Sequence, residues 1–168
     1  MPLSWNEIKD RALAFSREWI DESRETAESQ TFWNQFFEVF GLTRRRVASF
    51  EEPVKKLGDR RGEIDLFWKG MLIAEHKSRG RNLDRAYRQA LDYFPGIAER
   101  DLPRYVLVSD FQRLRLHDLD TGEDHEFPLA KLHEHVGRFA FVAGYSCISN
   151  YTQLYTLFCT CVAKTKHA

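Results

Sequence analysis

Apolar positions follow a helical period at the start of the chain. Ile8, Leu13, Phe15, Trp19 and Ile20 approximate one stripe, and Ser4 with Glu7 three residues on forms a capping box, which predicts a helix from Ser4 to about Ser23. A second helix is expected from Glu25 or Thr26 to Phe40, with Phe32, Trp33, Phe36, Phe37 and Phe40 as its core face and Gly41 as its stop. The period then shortens to that of strands. Val47–Phe50 reads as a short strand, Glu51-Glu52-Pro53 as an interruption, and Val54–Leu57 as its resumption. After the polar turn 58–62, Ile64–Trp68 and Met71–Ala74 flank Lys69-Gly70 as a β-hairpin.

Asn82 is a good N-cap for a helix over Leu83–Phe94, which Pro95-Gly96 ends. Arg104–Ser109 is apolar enough for a central strand, and Leu114, Leu116 and Leu119 alternate less regularly along the next. A turn at 120–123 precedes Glu126-Phe127-Pro128, and Leu129–Phe139 reads as a closing helix. The order helix, helix, three strands, helix, two strands, helix predicts an α/β domain, a mixed β-sheet flanked by helices.

The hairpin breaks its own pattern. Its strands carry Asp65, Glu75 and Lys77 among apolar residues. Glu75 and Lys77, two apart, share a face. A two-residue loop would set Asp65 on the opposite face. A three-residue loop, Trp68-Lys69-Gly70 with Gly70 left-handed, instead puts Asp65 with Ile73, Glu75 and Lys77 and leaves Ile64, Leu66, Leu72 and Ala74 as an apolar face. Two carboxylates from adjacent strands offer hard oxygen ligands to a divalent metal such as Mg²⁺, with room for waters and a phosphate oxygen. Lys77 beside them can orient or help deprotonate an attacking water, or offset charge building on phosphate. The plainer reading of the same residues is a salt-bridged hairpin with a solvated face. His76 falls on the apolar side between two site residues and reads as a core histidine with its hydrogen bonds met, rather than a base.

Composition narrows the setting. With 168 residues, 43% of them apolar, the chain suits one domain with a sizeable core. Its formal net charge is zero, but residues 44–88 hold 13 Lys and Arg against 7 Asp and Glu, while 110–134 hold 3 against 7. The basic stretch surrounds the hairpin, where a phosphate backbone would lie. The start of the chain has acids by its seventh residue and no long apolar run, so neither a signal peptide nor a membrane anchor is expected and a cytoplasmic protein is. Cys147, Cys159 and Cys161 have no framework spacing and read as inert thiols. His133 and His135, two apart on a helix, cannot share a metal.

Asp65, nine intervening residues, then Glu75-His76-Lys77 resembles the motif of the PD-(D/E)xK nuclease superfamily in its D…ExK form, with Ile64 where the naming proline would stand. Gln89 and Tyr93, four apart on the following helix, look like the QxxxY element of RecB-like members. The run GEIDLFWKGMLIAEHKSRGRNLDRAYRQALDYF, with FWNQFFEVFG upstream, resembles the N-terminal endonuclease domain of MmeI-like type II restriction-modification enzymes over roughly residues 4 to 145. The resemblance implies a restriction-endonuclease-like fold and Mg²⁺-dependent hydrolysis of double-stranded DNA, with Mn²⁺ as a substitute. It casts Asp65, Glu75 and Lys77 as catalytic and Asp65 and Glu75 as metal ligands. Superfamily members often add a carboxylate from the first core helix, for which Glu28 is the candidate; an ordinary acid at a helix N-terminus is the equal alternative. Gln89, Tyr93, Arg61, Arg79 and Arg81 are expected to contact DNA or support the site.

The expected division is an endonuclease-like domain over 1–145 and a divergent tail over 146–168. MmeI-like enzymes continue into an adenine methyltransferase and a target-recognition domain; this chain has neither a cofactor glycine motif nor an NPPY-type motif, so the tail reads as a truncated or frame-altered end. Cutting both strands needs two sites, which points to a transient dimer on DNA. Other classes stay open: a non-catalytic DNA-binding remnant, a module that joins a separate methyltransferase or specificity subunit, and a purely structural domain. The last leaves three charges on core strands unexplained.

Overall fold

A computed structural model describes residues 3–21, 25–55 and 61–144. Ser4 caps α1 (Trp5–Trp19) by accepting the Glu7 N–H at 3.2 Å, and α2 (Glu25–Val39) follows, with Gly41 at φ +75° just beyond it. The strands are β1 (Ser49–Lys55), β2 (Arg61–Trp68), β3 (Leu72–His76), β4 (Tyr105–Ser109), β5 (Arg113–Asp118) and β6 (Glu123–Pro128). Between β3 and β4 lies α3 (Leu83–Leu91), whose N-cap Asn82 accepts the N–H groups of Asp84 and Arg85. The closing segment is a short helix, α4 (Leu132–His135), between two 3₁₀ turns, Leu129–Lys131 and Val136–Phe139.

All six strands form one sheet in chain order, antiparallel except for β3 against β4, which are parallel. Parallel neighbours require a crossover, and α3 supplies it. On one face α1, α2 and the closing segment bury an aromatic cluster containing Phe15, Trp19, Phe32, Trp33, Phe36 and Phe139, against Leu66, Leu72, Ala74 and Leu107. On the other face α3 lies on β3 and β4 through Leu83, Ala86 and Ala90, against Ile73, Val106 and Val108. Among the described residues no helix is long and apolar enough to cross a membrane.

The expected closing helix Leu129–Phe139 is instead α4 between two 3₁₀ turns, and three strand expectations change. β1 is a single strand running through Glu51-Glu52-Pro53, with Pro53 opposite Glu63. It is an edge strand, so a proline without an N–H need break no ladder there, and the interruption survives only as the positive φ of Glu51, +51°. β6 is a strand where only a turn and a tripeptide were legible, because Phe127 alone among its residues is buried. The hairpin loop is Lys69–Met71, closed by Met71 N–H donating to Trp68 C=O at 2.9 Å, with Trp68 paired to Leu72. Trp68 stays in β2, where its ring packs on Phe37 at 5.9 Å. The left-handed Gly70 (φ +71°) is as expected. Shifting a three-residue loop by one position keeps side chains on the same faces but moves the point opposite Asp65 from Ile73 to Glu75.

Residues 146–168, with all three cysteines, lie outside the described residues, as do 58–60 of the polar turn.

Candidate active site

The β2–β3 ladder ends at Leu66 opposite Ala74. One residue further, Asp65 and Glu75 leave the pairing, and the Asp65 carboxylate does what a strand carbonyl would otherwise do: its Oδ2 accepts the His76 N–H at 2.7 Å. β3 meanwhile stays paired with β4 through His76 and Ser109, and Lys77 N–H donates to Ser109 C=O at 2.8 Å. The strands therefore part on one side only. Ile64, expected on the face of Leu66, Leu72 and Ala74, clusters instead with Phe67, Ile73 and Tyr93, at the point where β3 no longer holds the alternation of β2.

Glu75 is fully buried. A carboxylate removed from water is costly unless charge and hydrogen bonds compensate it. Lys77 Nζ lies 2.7 Å from its Oε1, and Gln89 Nε2 donates to the same oxygen. Gln89 also donates to the Tyr93 hydroxyl at 3.0 Å, which in turn donates to Glu63 C=O at 2.7 Å. Burial first, and the Glu75 charge second, push the Tyr93 phenol well above its ordinary value, so it stays a neutral donor. The chain from Glu75 through Gln89 and Tyr93 to the backbone of β2 ties α3 to both strands of the hairpin. Tyr93, 1% exposed, supports the site from within, where stacking on a nucleic acid is closed to it.

His76, on the opposite face of β3, is also fully buried, with Phe111, Phe32 and Trp33 at centroid distances of 4.1, 4.8 and 5.5 Å. It is a core histidine, but its hydrogen bonds are not met: among the described residues neither ring nitrogen has a partner. Burial, then the charge of Lys77, lowers its pKa to about 3, so the ring is neutral.

The remaining candidates are spread more widely. Glu28, half-buried on α2, is not gathered with Asp65 and Glu75: among the described residues no three His, Cys, Asp or Glu side chains come together as a metal group. Arg79 donates to Ile20 C=O just past α1, and Arg81 is exposed in the loop after Lys77. The side chain of Arg61 lies outside the described residues.

Asp65 and Glu75 are carboxylates, the donor type through which Mg²⁺ is commonly bound alongside waters and phosphate oxygens. Sequence reasoning missed Asp110 and Arg113. Asp110 is fully buried at the end of β4 and bonds to the loop after Lys77. Its signal was a charged residue directly following the most apolar strand.

No curated protein matches the chain. Among solved structures it is similar to the cryoEM structure of a DrdV–DNA complex, with a TM-score of 0.52 at 15% identity over 83% of this chain and 14% of that one. The fold is thus restriction-endonuclease-like, a mixed sheet flanked by helices. The family described as MmeI, N-terminal domain, matches residues 10–153. With the D…ExK hairpin and its α3 partner residues inside that span, the chain belongs to the MmeI N-terminal domain family.

Proposed function

We propose that this chain is a Mg²⁺-dependent DNA endonuclease domain of a restriction-modification system, hydrolysing phosphodiester bonds of double-stranded DNA. The observation that carries the reading is the buried Glu75, held by Lys77 and Gln89, beside Asp65 where β2 leaves β3. The likeness to a DNA complex supports the choice of substrate.

Asp65 and Glu75 would hold the metal, with Mn²⁺ able to replace Mg²⁺. Bound there, the ion supplies Lewis acidity toward a phosphoryl oxygen and makes a bound water more acidic. Whereas its partner Glu75 is fully buried, Lys77 is 21% exposed at its side chain. It orients an attacking water and offsets negative charge on the phosphate. Gln89 and Tyr93 hold Glu75 in place. Arg79, Arg81 and Arg61 stand in the basic stretch that would follow the phosphate backbone. Cutting both strands would bring two copies together on DNA.

The test is plasmid cleavage by the purified chain with Mg²⁺, Mn²⁺ or EDTA, beside Asp65→Ala and Lys77→Ala. Metal-dependent nicking is expected, with both variants slower by about 10²–10⁴-fold and still folded. Unfolding of Lys77→Ala would remove the catalytic role given to it. Folded wild type that binds duplex DNA with or without metal and leaves it intact would establish the DNA-binding remnant in place of the nuclease.

A further inference from the structure

β4 and β5 are joined by a turn through Asp110, Phe111 and Gln112, and this turn is built expensively. Asp110 is fully buried, although turn residues ordinarily keep their polar groups in water. Phe111 takes φ +64°, a region that glycine or asparagine occupies more easily, and its ring is fully buried. A hairpin needs neither. Strained backbone and buried charge persist where the surroundings require them, often beside functional sites.

What the turn touches supplies the requirement. Asp110 Oδ1 accepts the N–H groups of Gln112 and Arg113 at 3.2 and 2.9 Å, which closes the turn itself. Oδ2 faces the other way, accepting Gly80 N–H at 3.2 Å and Arg113 Nη2 and Nε at 2.7 and 3.3 Å. Arg113 Nη2 reaches on to Arg81 C=O at 3.1 Å. Ser109 C=O already takes Lys77 N–H at 2.8 Å, and the Phe111 ring lies 4.1 Å from that of His76. The turn therefore holds His76, Lys77, Gly80 and Arg81, two residues on each side of a short loop.

We propose that Asp110 and Arg113 are positioning residues for Lys77, clamping the loop behind it so that its ammonium stays on Glu75 and the scissile phosphate. The inference rests on the nuclease reading above. Neither residue touches reacting atoms; both act through the 78–81 loop, at Gly80 N–H and Arg81 C=O, while Ser109 C=O holds the Lys77 backbone. Asp110→Asn is a suitable probe, because the amide can keep an acceptor for the turn N–H groups while presenting a donor to Gly80 N–H and the guanidinium.

A double-mutant cycle separates positioning from general support. Single-turnover cleavage, duplex affinity and amide hydrogen exchange are measured for wild type, Asp110→Asn, Lys77→Ala and the double variant. Asp110→Asn is expected to cut about 10–100-fold more slowly with unchanged affinity, since small misplacement of a catalytic group costs that much. Once Lys77 is gone its positioning is moot, so the double variant cuts no more slowly than Lys77→Ala. Exchange at Gly80 and Arg81 rises. Should Asp110→Asn fail to fold, Arg113→Gln runs the same cycle at a side chain that is 35% exposed. Additive losses, or wild-type cutting by Asp110→Asn, overturn the positioning role while leaving the nuclease reading intact. A wild type that does not cut overturns both the nuclease reading and the catalytic purpose of the clamp; unchanged exchange overturns the clamp itself.

Discussion

Glu75 and His76 are consecutive on β3 and equally hidden from solvent, yet their surroundings are opposite. Glu75 faces α3 and is met by Lys77 and Gln89. His76 faces α1 and α2 and is met by aromatic rings, with no polar partner at all for its nitrogens among the described residues. The α3 face is the smaller cluster, in which Leu83, Ala86, Ala90 and Tyr93 meet Ile64, Phe67, Ile73, Val106 and Val108; the other is larger and aromatic, with rings of Phe15, Trp19, Phe32, Trp33 and Phe36 packed together, several of them edge to face. Such pairs add stability beyond area alone. The division of labour teaches that the dry face carries the fold, which leaves the α3 face able to hold charge.

The strongest way to break that comparison is Phe36→Ala. Phe36 is fully buried among Trp33, Phe40 and Phe139, with centroids at 5.7, 5.4 and 5.3 Å. Its loss is expected to cost about 3–5 kcal/mol in urea unfolding, while each molecule that remains folded cuts DNA as wild type does. A cost below about 1 kcal/mol would mean that the aromatic face does not carry the fold.

Acid comes next. His76 titrates near 3 when folded and near 6.5 when free, so between those pH values the unfolded chain binds the proton that the native ring refuses. Stability therefore falls as pH falls through that window, by up to ~1.4 kcal/mol per pH unit. The advantage of His76→Leu over wild type should be about 2 kcal/mol larger at pH 5 than at pH 7, because leucine binds no proton. Parallel pH profiles of the two unfolding midpoints would show that His76 is not the group responsible.

The smallest effect sharpens the polar side. Tyr93→Phe removes the donor to Glu63 C=O and the acceptor for Gln89. It should cost about 1 kcal/mol and slow cleavage several-fold through a looser Glu75. A variant as active and stable as wild type would detach Tyr93 from the site.

The site was legible where it depended on near neighbours in sequence. The alternation of strand side chains put Glu75 with Lys77, and four-residue helical spacing put Gln89 beside Tyr93. The aromatic face of α2 and the caps at Ser4 and Asn82 were equally local. Contacts between distant segments were not legible. Pro53 reads as a strand breaker until β1 is known to be an edge, and Phe127 cannot announce a strand alone. The hydrogen bond from Gly80 to Asp110 joins residues that no period relates. The unmet nitrogens of His76 follow from how rings of α2 and the β4–β5 turn converge.

The crossover has a consequence for the order in which the molecule comes into being. Every strand pairing but one joins neighbours across a short connection; β3 with β4 sets Leu72 against Tyr105, with α3 lying between them in sequence. Wider loops close more slowly. A nascent chain that has emerged only as far as α3 already carries Asp65, Glu75 and Lys77 but lacks the Ser109 carbonyl and the Asp110 carboxylate that bond to Lys77 and Gly80. The hydrogen bonding of the hairpin is thus completed by β4, the sequence-distant neighbour of β3.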